Sequence, residues 1–173
     1  MNAVPHWRSL LFVPAYSANI ASAPERGADG IILDLEDAVP EGSKQEARQQ
    51  LSESVATVRR NGASALVRVN HELCALAADL DASVIPGVNA LVLPKVESSD
   101  WVREVGGAVN QLEQKRGLAA GQIRFLTQIE SPRALQRLPE IASSDPGWQP
   151  WPLAQRIFVQ LLAVRPNSIF SCS

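Results

Sequence analysis

The chain has 173 residues, 46% of them hydrophobic and 20% charged, with a formal net charge of −2 at pH 7. That length supports one domain with a buried core, and the charge balance offers no electrostatic footprint for nucleic acid. No apolar run is long enough to cross a bilayer. Two cysteines, Cys74 and Cys172, make no disulfide framework, so a reducing, cytoplasmic setting is the expectation.

The first 17 residues, MNAVPHWRSLLFVPAYS, carry Arg8 early and Pro14 inside a short apolar run, a poor pattern for a signal peptide. Residues 9–14 (SLLFVP) read as a strand. A short stretch at 17–27 has helical spacing but is interrupted by Pro24. Residues 30–36 (GIILDLE) are the second strand. Residues 43–62 form the clearest helix: Ser43 and Glu46 have capping-box spacing, Ala47, Leu51, Val55 and Val58 make an apolar stripe, and Asn61-Gly62 ends it. Strands follow at 64–70 (SALVRVN), 89–96 (NALVLPKV) and 123–130 (IRFLTQIE), with helices predicted over 72–84 and 99–117.

Alternating β and α segments, with strands apolar on both faces, imply a parallel sheet. Crossovers of this length fit an open doubly wound sheet or a (β/α)8 TIM barrel. The barrel is favoured because polar residues end nearly every strand: Asp34, Glu36 and Asp37, then Arg68 and Asn70, then Lys95, then Gln128 and Glu130. A barrel gathers all its strand ends at one mouth, whereas a doubly wound sheet gathers only those at its switch point. No glycine-rich phosphate loop follows the first strand. A whole barrel takes about 250 residues, so residues 1–147 are expected to hold the first five βα units. Residues 148–173 form an atypical tail lacking Asp, Glu, Lys and Gly.

Three acids at 34–37 repel one another and are costly to bury unpaired. Glu130, before the helix start Ser131-Pro132, places a carboxylate in the mouth, where Mg²⁺ is held by one or two carboxylates plus waters and substrate; capping of that helix is the other use for it. Arg68 shares a strand face with Leu66 and Asn70. An inward Arg can grip a carboxylate bidentately, steady an enolate oxygen, or pair with the 34–37 acids. Lys95 can do the same or stand in solvent. His6 and His71 have no Cys or His neighbours at zinc spacing. Two classes of function stay open from the residues alone: a metal-assisted lyase or aldolase acting on a small acid, and a binding module whose charged strand ends pair for stability.

The segments RSLLFVPAYS, GADGIILDLEDAVPEGSKQEAR, LVRVN, VLPKVES and QIESPRAL, in that order and spacing, resemble the citrate lyase beta-subunit family, which includes malyl-CoA lyase and related acyl-CoA lyases. The resemblance covers about residues 7–145. One departure is PAYS, where members carry a Pro-Gly turn followed by a basic residue. The resemblance implies a (β/α)8 barrel and Mg²⁺-dependent retro-Claisen cleavage of a 3-hydroxyacyl thioester, citryl-, malyl- or related CoA, to a keto acid and an acyl-CoA. Glu130 matches the metal-binding Glu. Arg68 matches the Arg that binds substrate and steadies the enolate. Glu36 and Asp37, with Asp34 beside them, match acids around the metal and its waters, and Lys95 is a further substrate-binding candidate. The implied partner is a small acyl-CoA or acyl-thioester, with no nucleic acid or membrane, and the full-length form is expected to be a homo-oligomer. The family also has a metal-binding Asp in a Gly-x-Glu-Asp motif after the sixth strand, which this chain lacks. A catalytically inactive barrel fragment with a structural or partner-binding role is therefore the alternative.

The tail suggests its own cause. Regrouping the codons of WQPWPLAQRIF by one frame permits Ala-Ala-Leu-Ala-Leu-Gly-Ser-Glu-Asp-Phe, an apolar strand ending in the missing motif where a sixth strand is due. The expectation is a reading-frame slip near the codons for Pro146 to Trp148.

Overall fold

The computed structural model describes residues 7–144 and, as backbone alone, residues 157–161. Six parallel strands form one sheet: β1 (Leu10–Pro14), β2 (Gly30–Asp34), β3 (Ser64–Arg68), β4 (Val88–Leu93), β5 (Arg124–Ile129) and β6 (Ile157–Leu161). Their order in the sheet is their order in the chain. Such a sheet is wound in one direction and has no switch point, so the doubly wound alternative is excluded for these strands.

Between the strands lie α1 (Lys44–Val58), α2 (Leu73–Ser83), α3 (Ser99–Lys115), α4 (Pro132–Gln136) and α5 (Leu138–Ala142). A 3-10 segment, Ala18–Arg26, replaces a helix after β1. There Pro24 lacks the N–H that an α-helix would use. Side-chain alternation along the strands divides the core in two. Ile31, Leu33, Ala65, Val67, Leu91, Leu93 and Phe125 pack with Leu51, Val55, Leu76, Leu80, Val102 and Val105 of the helices. On the other face Ile32, Leu66, Ala90, Val92 and Leu126 form a smaller cluster, with Trp7 and Leu10 packed on it. The helices thus cover one face, and the second cluster is built from strands and Trp7.

Two expectations need correction. Ser43 makes no capping hydrogen bond. A 3-10 turn over Glu41–Ser43 runs straight into α1, so Ser43 has near-helical backbone (φ −103, ψ −5) rather than the extended form of a capping serine. The Glu46 carboxylate accepts from Gln50 Nε2 instead (3.0 Å). Helix α1 also stops at Val58, and the turn beyond it closes on the Gly62 N–H donating to the Arg59 carbonyl (3.0 Å), with Gly62 at φ 83. The serines that cap α-helices are Ser98, accepting from the Trp101 N–H (3.3 Å), and Ser131, accepting from the Ala134 N–H (3.1 Å). In the tail, β6 is a strand that the sequence reading did not assign. The expected frame slip at Pro146 to Trp148 lies outside the described residues.

Candidate active site

The sheet brings the polar strand ends together. Asp34 and Arg68 are the last residues of β2 and β3 and stand opposite each other in register. Asp34, 1% exposed, accepts four hydrogen bonds. Arg68 Nε and the Glu36 N–H donate to Oδ1 (2.8 and 2.9 Å); Arg68 Nη2 and the Ala38 N–H donate to Oδ2 (2.6 and 3.2 Å). The fork-to-fork geometry is the strongest that Arg and a carboxylate form. It explains how an acid can end a buried strand, and it leaves neither oxygen of Asp34 free.

Arg68 serves the neighbouring acids as well. Its Nη1 lies 3.3 Å from Glu36 Oε2 and 3.8 Å from Asp37 Oδ2, and the guanidinium carbon sits 5.0 Å from the centre of the Phe12 ring. Burial acts to lower the Arg68 pKa, but the Asp34 hydrogen bond and the charges of Asp34, Glu36 and Asp37 outweigh it and raise it. Lys95, just beyond β4, approaches from the other side: Nζ is 2.9 Å from Glu36 Oε1 and 3.9 Å from Asp37 Oδ1. Its pKa is raised by the Glu36 contact first, against partial burial. Glu36 is 5% exposed, and burial pushes its carboxyl pKa up, with Lys95 and Arg68 opposing. Its contacts with the two cations are short but poorly directed, and neither Glu36 oxygen receives an aligned hydrogen bond.

Lys95 also lines a cavity of about 510 Å³ together with His71, Glu97, Ser98, Trp101, Glu130 and Ser131. Glu130 and Arg68, expected in one mouth, are thereby linked through Lys95, whose amine reaches Glu36 and Asp37 beside Arg68. Capping belongs to Ser131, so the Glu130 carboxylate is not used for that. Nearby, Gln128 is 1% exposed and its Oε1 has no hydrogen-bond partner.

Sequence reasoning missed the scaffold under the acids. Lys44, 8% exposed at the start of α1, hydrogen-bonds Asn70 Oδ1 and donates to the carbonyls of Leu35 (3.3 Å) and Glu36 (3.4 Å). Asn70 Nδ2 donates to the Leu35 carbonyl (2.8 Å) and to Asp79 Oδ2 (2.7 Å), and Arg48 Nε donates to Asp79 Oδ1 (2.7 Å). This network ties α1, α2 and the end of β3 to the backbone that carries Glu36. His71 and Trp101 were not expected here either. Their rings meet at a centroid distance of 4.8 Å.

No group of three or more His, Cys, Asp or Glu is placed to hold a metal among the described residues. The donor chemistry nevertheless suits a hard cation. Three carboxylates (Asp34, Glu36, Asp37) gather around two cations (Arg68, Lys95), an excess of negative charge, and Glu130 lines the cavity that Lys95 borders. Buried oxygens on Glu36 and Gln128 also lack aligned donors. Mg²⁺ is commonly held by one or two carboxylates with water completing the shell, and Glu130 in an open cavity fits that pattern.

Fold and site together define an α/β protein whose charged groups collect at the carboxyl ends of a singly wound parallel sheet. The profile of the HpcH/HpaI aldolase/citrate lyase family matches residues 8–156, and the chain belongs to that family. It is 32% identical over 140 residues to citrate lyase subunit beta of Leuconostoc mesenteroides subsp. cremoris, a match covering 80% of this chain and 46% of the relative. It is 33% identical over 102 residues to the mitochondrial citramalyl-CoA lyase of Rattus norvegicus, covering 56% of this chain and 30% of that one. The chain thus spans about half or less of these curated relatives. Among solved structures, a citrate lyase beta subunit from M. tuberculosis complexed with oxaloacetate and magnesium has 28% identity and a TM-score of 0.57, covering 84% of this chain and 57% of that one. A Haloferax volcanii malate synthase has a TM-score of 0.77 at 14% identity, covering 93% of this chain and 51% of that one, a likeness of fold alone. The two curated relatives are named as a citrate lyase subunit and a citramalyl-CoA lyase.

Proposed function

We propose that the chain is part of a Mg²⁺-dependent carbon–carbon lyase of the citrate lyase beta-subunit type, cleaving a 3-hydroxyacyl thioester to a keto acid and an acyl-CoA. One observation carries the reading: Glu130 and Lys95 line one cavity at the strand ends, with Glu36 and Arg68 directly behind Lys95. Glu130 would hold Mg²⁺, which supplies positive charge to bind and polarise the keto-acid oxygens. Lys95, about half exposed, supplies a fixed cation for the substrate carboxylate. Arg68 pairs with the acids of the 34–37 turn and adds positive charge where an enolate would develop. Asp34 orients Arg68. The strands would form part of a (β/α)8 barrel; the sequential strand order and the two-sided core support this.

Calorimetric titration with Mg²⁺ tests the site. Specific binding that Glu130→Gln removes supports it; identical heats for both proteins sink it. Turnover of a panel of citryl-, malyl- and methylmalyl-CoA would then identify the substrate. The second reading is a catalytically inactive fragment with a structural or partner-binding role. It is favoured by the absence, among the described residues, of any group of three or more His, Cys, Asp or Glu placed to hold a metal, and by the saturation of Asp34 by Arg68 and backbone donors.

A further inference from the structure

Three observations converge on the cavity that Lys95 and Glu130 line. His71 follows β3 directly after Asn70, and its Nδ1 is buried without a hydrogen-bond partner. A buried, unsatisfied polar atom calls for an explanation, and in a cavity wall a missing ligand is one. The protein also leaves the imidazole tautomer unset, because the hydrogen bond to one ring nitrogen is what normally fixes the proton on the other. Second, the His71 ring lies against Trp101, 4.8 Å between centroids and tilted by 35°, and both residues line the cavity that holds Lys95 and Glu130. Third, Lys95 is the one non-glycine residue with positive φ among the described residues, at φ 52. Strain of that kind is concentrated where a side chain must be aimed for function. Here the aimed amine meets the buried Glu36 and borders the cavity that His71 lines.

We propose that His71 is a substrate-contacting residue, its imidazole hydrogen-bonding the keto-acid end of the ligand in the cavity shared with Lys95 and Glu130, with Trp101 holding the ring in place. The ligand class is a short keto acid or the matching end of a hydroxyacyl thioester: an anion with a neighbouring carbonyl or hydroxyl oxygen. Lys95 meets the charge and His71, able to donate or accept, meets the oxygen. This assignment rests on the lyase reading above and adds a residue that reading does not use.

The test uses the full chain with oxaloacetate and Mg²⁺. The sequence holds two histidines, His6 and His71, so His6→Gln leaves one imidazole to follow by NMR. Oxaloacetate should shift the His71 ring signals and change Trp fluorescence. His71→Phe should weaken binding about tenfold, the worth of one hydrogen bond to a charged ligand, and His71→Asn should weaken it less. If the chain binds oxaloacetate and Glu130→Gln weakens that binding, but the His71 signals stay still and His71→Phe binds like the parent, the His71 assignment is wrong and the lyase reading stands. If the parent chain binds no oxaloacetate with Mg²⁺ at millimolar concentration, both fall together. The ring shift is measured with His71 in place, so a folding defect in the Phe variant does not blunt the test.

Discussion

Replacing Asp34 by Asn changes one atom and should cost the fold heavily. Each Asp34 oxygen accepts two N–H groups, one from the Arg68 guanidinium and one from the backbone. An amide must set its NH₂ in place of one oxygen. In one flip it faces Arg68 Nε and the Glu36 N–H; in the other it faces Arg68 Nη2 and the Ala38 N–H. Either way a donor meets two donors, one of them charged. Losing a charge-assisted hydrogen bond costs about 1.5–3 kcal/mol, and stranding a buried backbone N–H adds about 1 kcal/mol or more. Arg68 keeps Glu36 and Asp37 at 3.3 and 3.8 Å, which softens the loss of its main partner. A net destabilisation of about 3 kcal/mol follows, at the lower end of the range for breaking a buried ion pair. In urea, with a slope of about 2 kcal/mol per molar, the midpoint should fall by roughly 1.5 M with the slope unchanged. Asp37→Asn is the control: its carboxylate is exposed and 3.8 Å from Arg68, so it should cost less than about 1 kcal/mol. If the two variants unfold at the same midpoint, the saturated Asp34 clamp is not what holds the turn.

Lys44→Met should cost about 2 kcal/mol, because it strips a buried charged donor from Asn70 and from the carbonyls of Leu35 and Glu36; chemical denaturation measures it, and a neutral result would remove Lys44 from the scaffold. Burial raises the Glu36 pKa, so its proton binds more tightly in the folded protein than in the unfolded chain. Its contribution to stability is full below the unfolded value near 4.5 and is lost as pH rises through the raised folded value. The stability of Glu36→Gln relative to the parent should therefore increase as pH rises from about 4.5 towards neutrality; a gap that narrows instead would mean that Lys95 and Arg68 dominate burial. Glu113 is fully buried in α3 and accepts from the N–H groups of Gly121 and Ile123, both at 2.8 Å, so Glu113→Ala should cost about 2 kcal/mol. Hydrogen exchange at those two amides should rise; unchanged protection would show that the loop before β5 holds itself.

The strands were legible because their burial follows short-range alternation: Ile31, Leu33, Val67 and Leu91 announce a core whichever residues lie opposite. The acid turn was legible as a concentration of charge, but its division of labour was not. Whether Asp34 or Glu36 takes the Arg68 fork depends on strand register, which pairs Asp34 with Arg68 across 34 residues of chain. Lys44 and Asp79 look like surface charges in amphipathic helices. Their burial is set by where α1 and α2 dock against the end of β3, and no local periodicity encodes that. The Ser43 cap failed for a backbone reason, the 3-10 turn before it. Strand β6 was passed over because the change in composition at the tail outweighed the apolar run Ile157–Leu161.

A sheet whose order in space is its order in sequence also has a history built into it. Leu10 finds Gly30 as its register partner, and Gly30 finds Ser64. As synthesis proceeds from the N-terminus, every new strand has a finished neighbour to dock on and none has to be threaded between two already paired. The Asp34–Arg68 clamp can close once β3 has left the ribosome, before Lys95 and Glu130 have followed it out. The charged turn is then already locked when the cavity that will use it starts to take shape.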